Sequence, residues 1–318
     1  MMAFVRAHPL ALLALCLLGL GAAYLFAGLG PNAGFILPLR ATRLGGMLVV
    51  GASIAVATVL FQTVAQNRIL TPSIMGFDAL YVLMQTALVA VIGAVGFTSL
   101  PKALKFGLEV GVMITAAVLL FGTLLGRGPR DIARMILTGV ILGVLFRSLS
   151  GFVARVMDPN AYSVVQSVTF ASFTRIDATL LLIGGSAALA AIALAFALSR
   201  RLDVMALGRP VAVSLGLGYE RLMLLVLALV ALLVSVSTAL VGPVAFFGLI
   251  VVGLAHALVG ADRHARLLPA AALIAGIVLV GGQLIFERLI GQQSTLSVVV
   301  ECIGGLVFLW LLLKGRVR

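Results

Sequence analysis

Charge is scarce in these 318 residues. Ten acidic and 22 basic side chains make up only 10% of the chain, while hydrophobic residues make up 63% and mean hydropathy is +1.26. A water-soluble domain of this length needs far more polar surface, so that class is excluded. Cysteine is nearly absent. Cys16 and Cys302 fall in separate apolar runs without metal-ligand spacing, which excludes a disulfide framework and leaves them as small buried hydrophobes. His8, His256 and His264 are scattered along the chain, and no metal site is expected from them. No H-E-x-x-H, G-x-S-x-G, paired-acid array or phosphate-cradling glycine loop occurs, so the chain is read as neither an enzyme nor a cofactor binder, and it cannot hydrolyse ATP itself.

What is present is apolar sequence in long runs. Ten stretches fill most of the chain, at 9–29, 43–65, 76–97, 103–125, 131–155, 178–199, 220–241, 244–260, 268–290 and 297–313. Each approaches the roughly 20 residues that cross a bilayer as a helix. Lipid cannot satisfy backbone N–H and C=O groups, and unalternating apolar runs select helices over barrel strands. The expectation is an all-α polytopic membrane protein of about ten transmembrane helices, one domain over 1–318. The eighth stretch is the shortest and is a candidate re-entrant segment, because Gly242-Pro243 joins it to the seventh with almost no loop. The first stretch is read as a retained helix, since it is about twice the length of a signal-peptide core.

The net charge of +12 reports topology here, not nucleic acid. With the N-terminus in the cytoplasm, 14 of the 22 basic residues fall on the inner side, including Arg6, Arg68, Arg127, Arg130, Arg134, Arg200, Arg201, Arg209, Arg221, Arg263 and Arg266. The other eight are Arg40, Arg43, Lys102, Lys105, Arg147, Arg155, Arg175 and Arg288, with Arg147 inside the fifth helix. The positive-inside rule therefore places both termini in the cytoplasm. Glycines such as Gly139 and Gly143, or Gly281 and Gly282, form small-residue arrays that let neighbouring backbones approach.

Two stretches are too polar and too punctuated to be plain connections. Between the second and third helices, Gln62 through Asp78 contains Asn67, which can cap a helix end, Pro72, which stops helical continuation, and Gly76, which permits close backbone approach. The surplus of polar groups predicts a docked conformation. The second stretch, Arg200 to Arg221, reads as two short amphipathic segments carrying Val204, Leu207 and then Val211, Ala212, Leu215, hinged at Gly208 and ended at Gly216. Such a knob either lies in the headgroup interface or inserts into a partner's groove.

These residues resemble the FecCD family of ABC-transporter permeases. Leu39-Arg40-Ala41-Thr42-Arg43 resembles the family's L-R-x-x-R run, and Asn67 through Pro72 to Gly76 its N-P-L-A-x-P-x-x-L-G loop. Gly208 through Ala212 to Leu215-Gly216 resembles its G-x-x-A-x-x-L-G segment, and Gly242-Pro243-Val244-Ala245-Phe246-Phe247-Gly248-Leu249-Ile250-Val251 its G-P-I-G-F-V-G-L-I-V run. The Asn67 to Asp78 wording is closest to iron-siderophore permeases of catecholate type. The chain departs from the family at Arg209, often acidic there, and at Val252 to His256, where a P-H-x-x-R run is usual.

The resemblance implies a BtuC-like fold (type II ABC importer) in the bacterial cytoplasmic membrane. It also implies a second permease subunit, different or identical, separate ATP-binding cassette ATPase subunits, and an external iron-siderophore-binding protein. By the same resemblance Arg40, Arg43 and Arg288 would receive the binding protein's carboxylates, the plain alternative being snorkelling to lipid headgroups. Arg200, Arg201, Leu207, Gly208, Ala212, Leu215 and Gly216 would couple to the ATPase, and Asn67, Pro72 and Gly76 would form a gating loop. Polar residues inside spans, namely Gln62, Gln66, Asp78, Gln85, Glu109, Gln283 and Glu301, are expected to face the interior as helix-helix glue. The rival function is an ion-coupled secondary transporter for a small metabolite or metal chelate, which would need acids paired with cations near interrupted helices. Glu109 and Glu301 show no such partner in the sequence.

Overall fold

The computed structural model describes residues 9–28, 32–125, 131–259 and 263–287. Arg6, His8, Arg127, Arg130, Arg288, Glu301, Cys302 and the tenth apolar stretch lie outside the described residues. Within them the regular structure is helical: α1 (Pro9–Phe26), α2 (Ala33–Ala65), α3 (Phe77–Ser99), α4 (Lys102–Leu125), α5 (Asp131–Val156), α6 (Pro159–Thr169), α7 (Ala178–Ala197), α8 (Ser199–Met205), α9 (Arg209–Ser214), α10 (Tyr219–Val241), α11 (Phe247–Val259) and α12 (His264–Ile285), with a 3-10 turn at Pro72–Met75.

Among the described residues, seven helices are long and apolar enough to cross a membrane: α1, α2, α3, α5, α7, α10 and α12. α4 is as long, but its first two turns carry Lys102, Lys105 and Glu109. α11 has 13 residues, a rise of about 20 Å that falls short of the roughly 30 Å hydrocarbon core. The backbone from Gly242 to Ala245 ahead of it is non-helical, so the eighth stretch becomes helical only at Phe247. Two other boundaries differ from expectation. α2 begins at Ala33, ten residues before the expected start, and runs through Pro38. Proline in the second turn removes one backbone bond without stopping the helix, and Arg40 and Arg43 consequently sit on a helix, not in a loop. α6 occupies a connection for which no helix was expected; Asp158 caps it by accepting from the Asn160 N–H at 2.8 Å, and Pro159 supplies its first turn.

The bundle is organised around α2 and α10, where 67% of the most apolar stretch is buried, against 11% in α1. α2 packs on α12, α10, α7 and α11, while α10 packs on α4 and α7, and α1 lies over α12. Several hydroxyls inside this core are satisfied within their own helices, while Ser235 of α10 is buried without a hydrogen-bond partner among the described residues. Ser53 donates to the Val49 carbonyl, Thr58 to Ile54 and Thr86 to Val82, each at 2.7 Å. Cys16 is exposed on α1, which corrects the expectation of a buried thiol: the outermost helix turns it toward lipid, an equally apolar surrounding.

The polar loop after α2 does dock, and on an unexpected partner. Gly139 and Gly143 of α5 form a shallow groove that receives the 3-10 turn, not another helix. A Cβ on Gly76 would lie 2.8 Å from the Gly143 Cα, and Gly76 has φ +89. Both the conformation and the close approach require glycine. Gly76→Ala should therefore lower the thermal stability of purified protein by an amount equivalent to about 2 kcal/mol or more. Gly253→Ala, where an added Cβ meets nothing within 4 Å, should leave the melting temperature within experimental scatter.

Candidate functional site

The two unusual stretches of sequence, Gln62 to Asp78 and Arg200 to Arg221, converge at one end of the bundle. α8 and α9 form a knob there, hinged at Gly208 with φ +88 and closed at Gly216 with φ +82. Leu202 and Met205 of α8 and Ala212 of α9 are fully buried and hold the knob against the bundle. The expected apolar stripe is split by this packing. Leu207, Val211, Val213 and Leu215 are exposed, at 58%, 45%, 48% and 62%. Arg200 and Arg201 are exposed beside them. An exposed apolar patch at an end of the bundle is the kind of surface that lies in the headgroup interface or inserts into a partner's groove.

Arg209 departs from the usual acidic residue and finds its own acid within the chain. Its Nε and Nη2 donate to Glu220 Oε1 at 3.1 and 2.7 Å, tying the start of α9 to the first turn of α10. With both side chains about half exposed, the pair is screened by solvent and acts mainly on orientation.

Between the knob and the end of α2 lies a cavity of about 360 Å³, lined in part by Gln62, Thr63, Asn67, Asp203, Leu207 and His264. His256 lines it as well, so two of the scattered histidines meet in space. The C-cap of α2 is Gln66, in the left-handed region with φ +52, and not Asn67. Asn67 instead uses Oδ1 to accept from the Ile69 N–H at 3.0 Å, closing the following turn. Gln62 Nε2 donates to the Arg68 carbonyl at 2.6 Å and Gln66 Nε2 to the Thr63 carbonyl at 2.8 Å. Pro72 is buried and starts the 3-10 turn that carries Gly76 to α5. Asn67, Pro72 and Gly76 thus connect the knob cavity to the middle of the bundle.

The opposite end holds Arg40 and Arg43. Arg40 Nη1 donates to the carbonyls of Tyr24, Leu25 and Ala27 at 3.3, 3.2 and 2.8 Å, closing the end of α1. The Tyr24 hydroxyl lies 3.5 Å from Glu287 Oε1, with Arg43 close enough to act on it electrostatically. Both arginines are half-buried. Arg288 lies outside the described residues. The same end holds a second polar pocket of about 210 Å³, lined in part by Tyr81, Lys102, Lys105, Glu109, Arg175 and Asp177. Glu109, unpartnered in the sequence reading, accepts from Gln85 Nε2 at 2.6 Å and stands 4.0 Å from Lys105, which lies 3.6 Å from the Phe97 ring centroid.

Sequence reasoning missed Asp203, whose carboxylate reaches His264, because the two are 61 residues apart and neither sits in a recognisable spacing. The Lys105 and Glu109 pair was missed too, although their i, i+4 spacing on α4 was a signal for it. Gln85 gave no such signal, since only folding brings α3 to α4.

Comparison with known proteins gives a consistent picture. The FecCD transport family model matches residues 11–314. The petrobactin import system permease protein YclO of Bacillus subtilis (strain 168) is 39% identical over 291 residues, covering 92% of each chain. The petrobactin import system permease protein FatC of Bacillus anthracis is 31% identical, covering 87% of this chain and 78% of that protein. The ferric enterobactin transport system permease protein FepD of Escherichia coli (strain K12) is 28% identical, covering 87% and 81%. Among solved structures, an inward-facing metal-chelate type ABC transporter superposes with TM-score 0.82 at 24% identity, over 97% of this chain and 99% of that one, and so shares the fold.

At the second pocket, Lys102 donates to Asp177 at 2.9 Å while Asp177 caps α7 through the N–H groups of Thr179 and Leu180. The bond from Lys102 leads these in holding the Asp177 carboxyl below its ordinary value, against a smaller opposing effect of burial. A carboxyl depressed on folding stabilises the fold above its unfolded value, and that contribution is lost as pH falls through the folded value. Asp177→Ala should cost about 1 kcal/mol near neutral pH. The difference in melting temperature from the parent protein should close as pH drops below the carboxylate range.

Proposed function

The chain belongs to the FecCD transport family, and on that premise we propose that it is the permease subunit of an ATP-driven importer carrying ferric siderophores across the bacterial cytoplasmic membrane. The observation that carries this reading is the knob. Its exposed Leu207, Val211 and Leu215 form an apolar surface at an end of the bundle, as a subunit moved from outside needs. Separate ATPase subunits grip α8 and α9, and their nucleotide-driven closure rotates the attached helices as rigid bodies. The knob end faces the cytoplasm, in keeping with Arg200, Arg201 and Arg221 there. A second permease subunit, different from this one or a copy of it, completes the pathway.

The siderophore cargo is supported by relatives named for petrobactin and enterobactin import. An external binding protein delivers it at the opposite end. Arg43 is the better docking candidate of the described arginines, because Arg40 already spends three of its contacts on the end of α1. Charge pairs there set register and encounter rate more than affinity. The rival, ion-coupled transport, draws some support from the Glu109, Gln85 and Lys105 cluster. That cluster lines one pocket with Val241 and Gly242, at the break after α10, but its acid is already held by two neighbours.

Two experiments check this. A cysteine placed at Leu207 or Leu215 should crosslink to the ATPase in membranes containing the whole transporter, and absence of crosslinks from both positions would remove the coupling assignment. Arg43→Glu should weaken binding-protein association by about tenfold with uptake falling in step. Arg40→Glu should in addition lower thermal stability, by about 1 kcal/mol for the lost helix-end bonds.

A further inference from the structure

A three-residue chain of hydrogen bonds crosses the knob cavity. Asp203, on α8, places Oδ1 2.7 Å from the backbone nitrogen of His264 and 2.7 Å from its Nδ1. His264 is the first residue of α12, so the carboxylate both caps that helix and holds the ring. On its far side, Nε2 lies 2.7 Å from the hydroxyl of Thr63 on α2. An ionised carboxylate only accepts, so Nδ1 carries the hydrogen between ring and acid and Nε2 is the accepting edge; the one hydroxyl hydrogen of Thr63 is shared between Nε2 and the Val59 carbonyl, 2.8 Å away. A further tie runs beside it: Gln66 Nε2, at the end of α2, donates to the Met205 carbonyl of α8 at 3.3 Å.

Leu202 and Met205 already bury the inner face of α8. Apolar contact is non-directional, however, and leaves a seven-residue helix able to roll against the bundle. The hydrogen bonds remove that freedom. Thr63 and His264 are 9% and 4% exposed, so their bonds act in a low dielectric where a lost partner is felt in full. They end on the two helices, α2 and α12, that pack most extensively on each other.

We infer that His264 is a positioning residue which, through Asp203 and Thr63, locks α8 to α2 and α12, so that a displacement imposed on the knob moves both core helices as one body. This rests on the reading of the knob as the place a motor subunit grips. Without the lock, a partner would roll α8 in its seat and the stroke would be lost before reaching the pathway.

The test uses the complete transporter, with partner permease, ATPase subunits and binding protein, in vesicles loaded with ATP. In Asp203→Ala and Thr63→Val, ATP hydrolysis should stay within about twofold of the parent while ferric siderophore moved per ATP falls about tenfold, the equivalent of one charge-assisted hydrogen bond. Asp203→Asn, which keeps an accepting oxygen, and Thr63→Ser, which keeps the hydroxyl, should retain most of the coupling. An unchanged ratio of transport to hydrolysis in the first pair, an equal loss in the second pair, or a parallel fall of both activities would each overturn the lock. Amide hydrogen exchange on the same preparations separates this from the broader reading. If the parent complex shows no ATP-dependent uptake, the proposed function fails. The lock is still judged, because Asp203→Ala should speed exchange at the start of α12 and the end of α2 together, and a change confined to α8 would refute it.

Discussion

Lipid offers no hydrogen bond to a backbone, and the rest of this structure follows from that constraint. Helices satisfy it by themselves. The places where helix is interrupted are therefore informative, because each must be enclosed by protein. The loop after α2 turns back into the bundle and closes its own bonds, Ile74 N–H to Thr71 and Gly76 N–H to Ser73, before α3 starts. It is covered by the glycine groove of α5. The segment after α10 does the same from the other end: Gly242 N–H returns to Thr238 at 2.7 Å, and Ser172 N–H reaches the Val241 carbonyl at 2.7 Å. The two interruptions meet, with Thr71, Pro72, Ser73 and Asp78 facing Val244, Phe246 and Gly248 across a small cavity.

The same constraint shapes the polar chemistry. Several hydroxyls fold back onto their own helices, and the acids that enter the bundle are held by neighbours, Glu109 by Gln85 and Glu287 by Gln283 at 2.8 Å. Among the described residues this leaves an interior that is weakly polar and has no group of three or more His, Cys, Asp or Glu side chains placed to hold a metal ion. Directional polar contacts are concentrated at the ends instead, around Tyr24 and Arg40 at one and around His264 at the other.

The fold class and most helices were legible because hydrophobic run length is a direct readout of the solvent. The knob was legible for a related reason: glycines at 208 and 216 bracket two short apolar repeats, and both adopt the positive φ that only glycine tolerates well. Some boundaries were not. α2 runs through Pro38 in turns that are themselves partly exposed, with its buried residues starting only at Gly46, and α6 forms in a connection whose composition gave little periodic signal. Side-chain partners across elements were the least legible. Arg40 looked like a free outer cation and proved to close α1. The histidines looked unrelated, yet His256 and His264 share a cavity. Spacing along the chain reports faces of one helix, and says nothing of which helix arrives opposite.

The central claim is that this chain is a conduit driven from outside, with no engine of its own. Vesicles carrying the purified chain and its partner permease, supplied with binding protein and ferric siderophore, test it directly when the ATPase subunits are added or withheld under imposed proton and sodium gradients. Uptake against a concentration gradient only when ATPase and ATP are both present is the predicted result. Uphill uptake driven by an ion gradient without the ATPase would contradict the account.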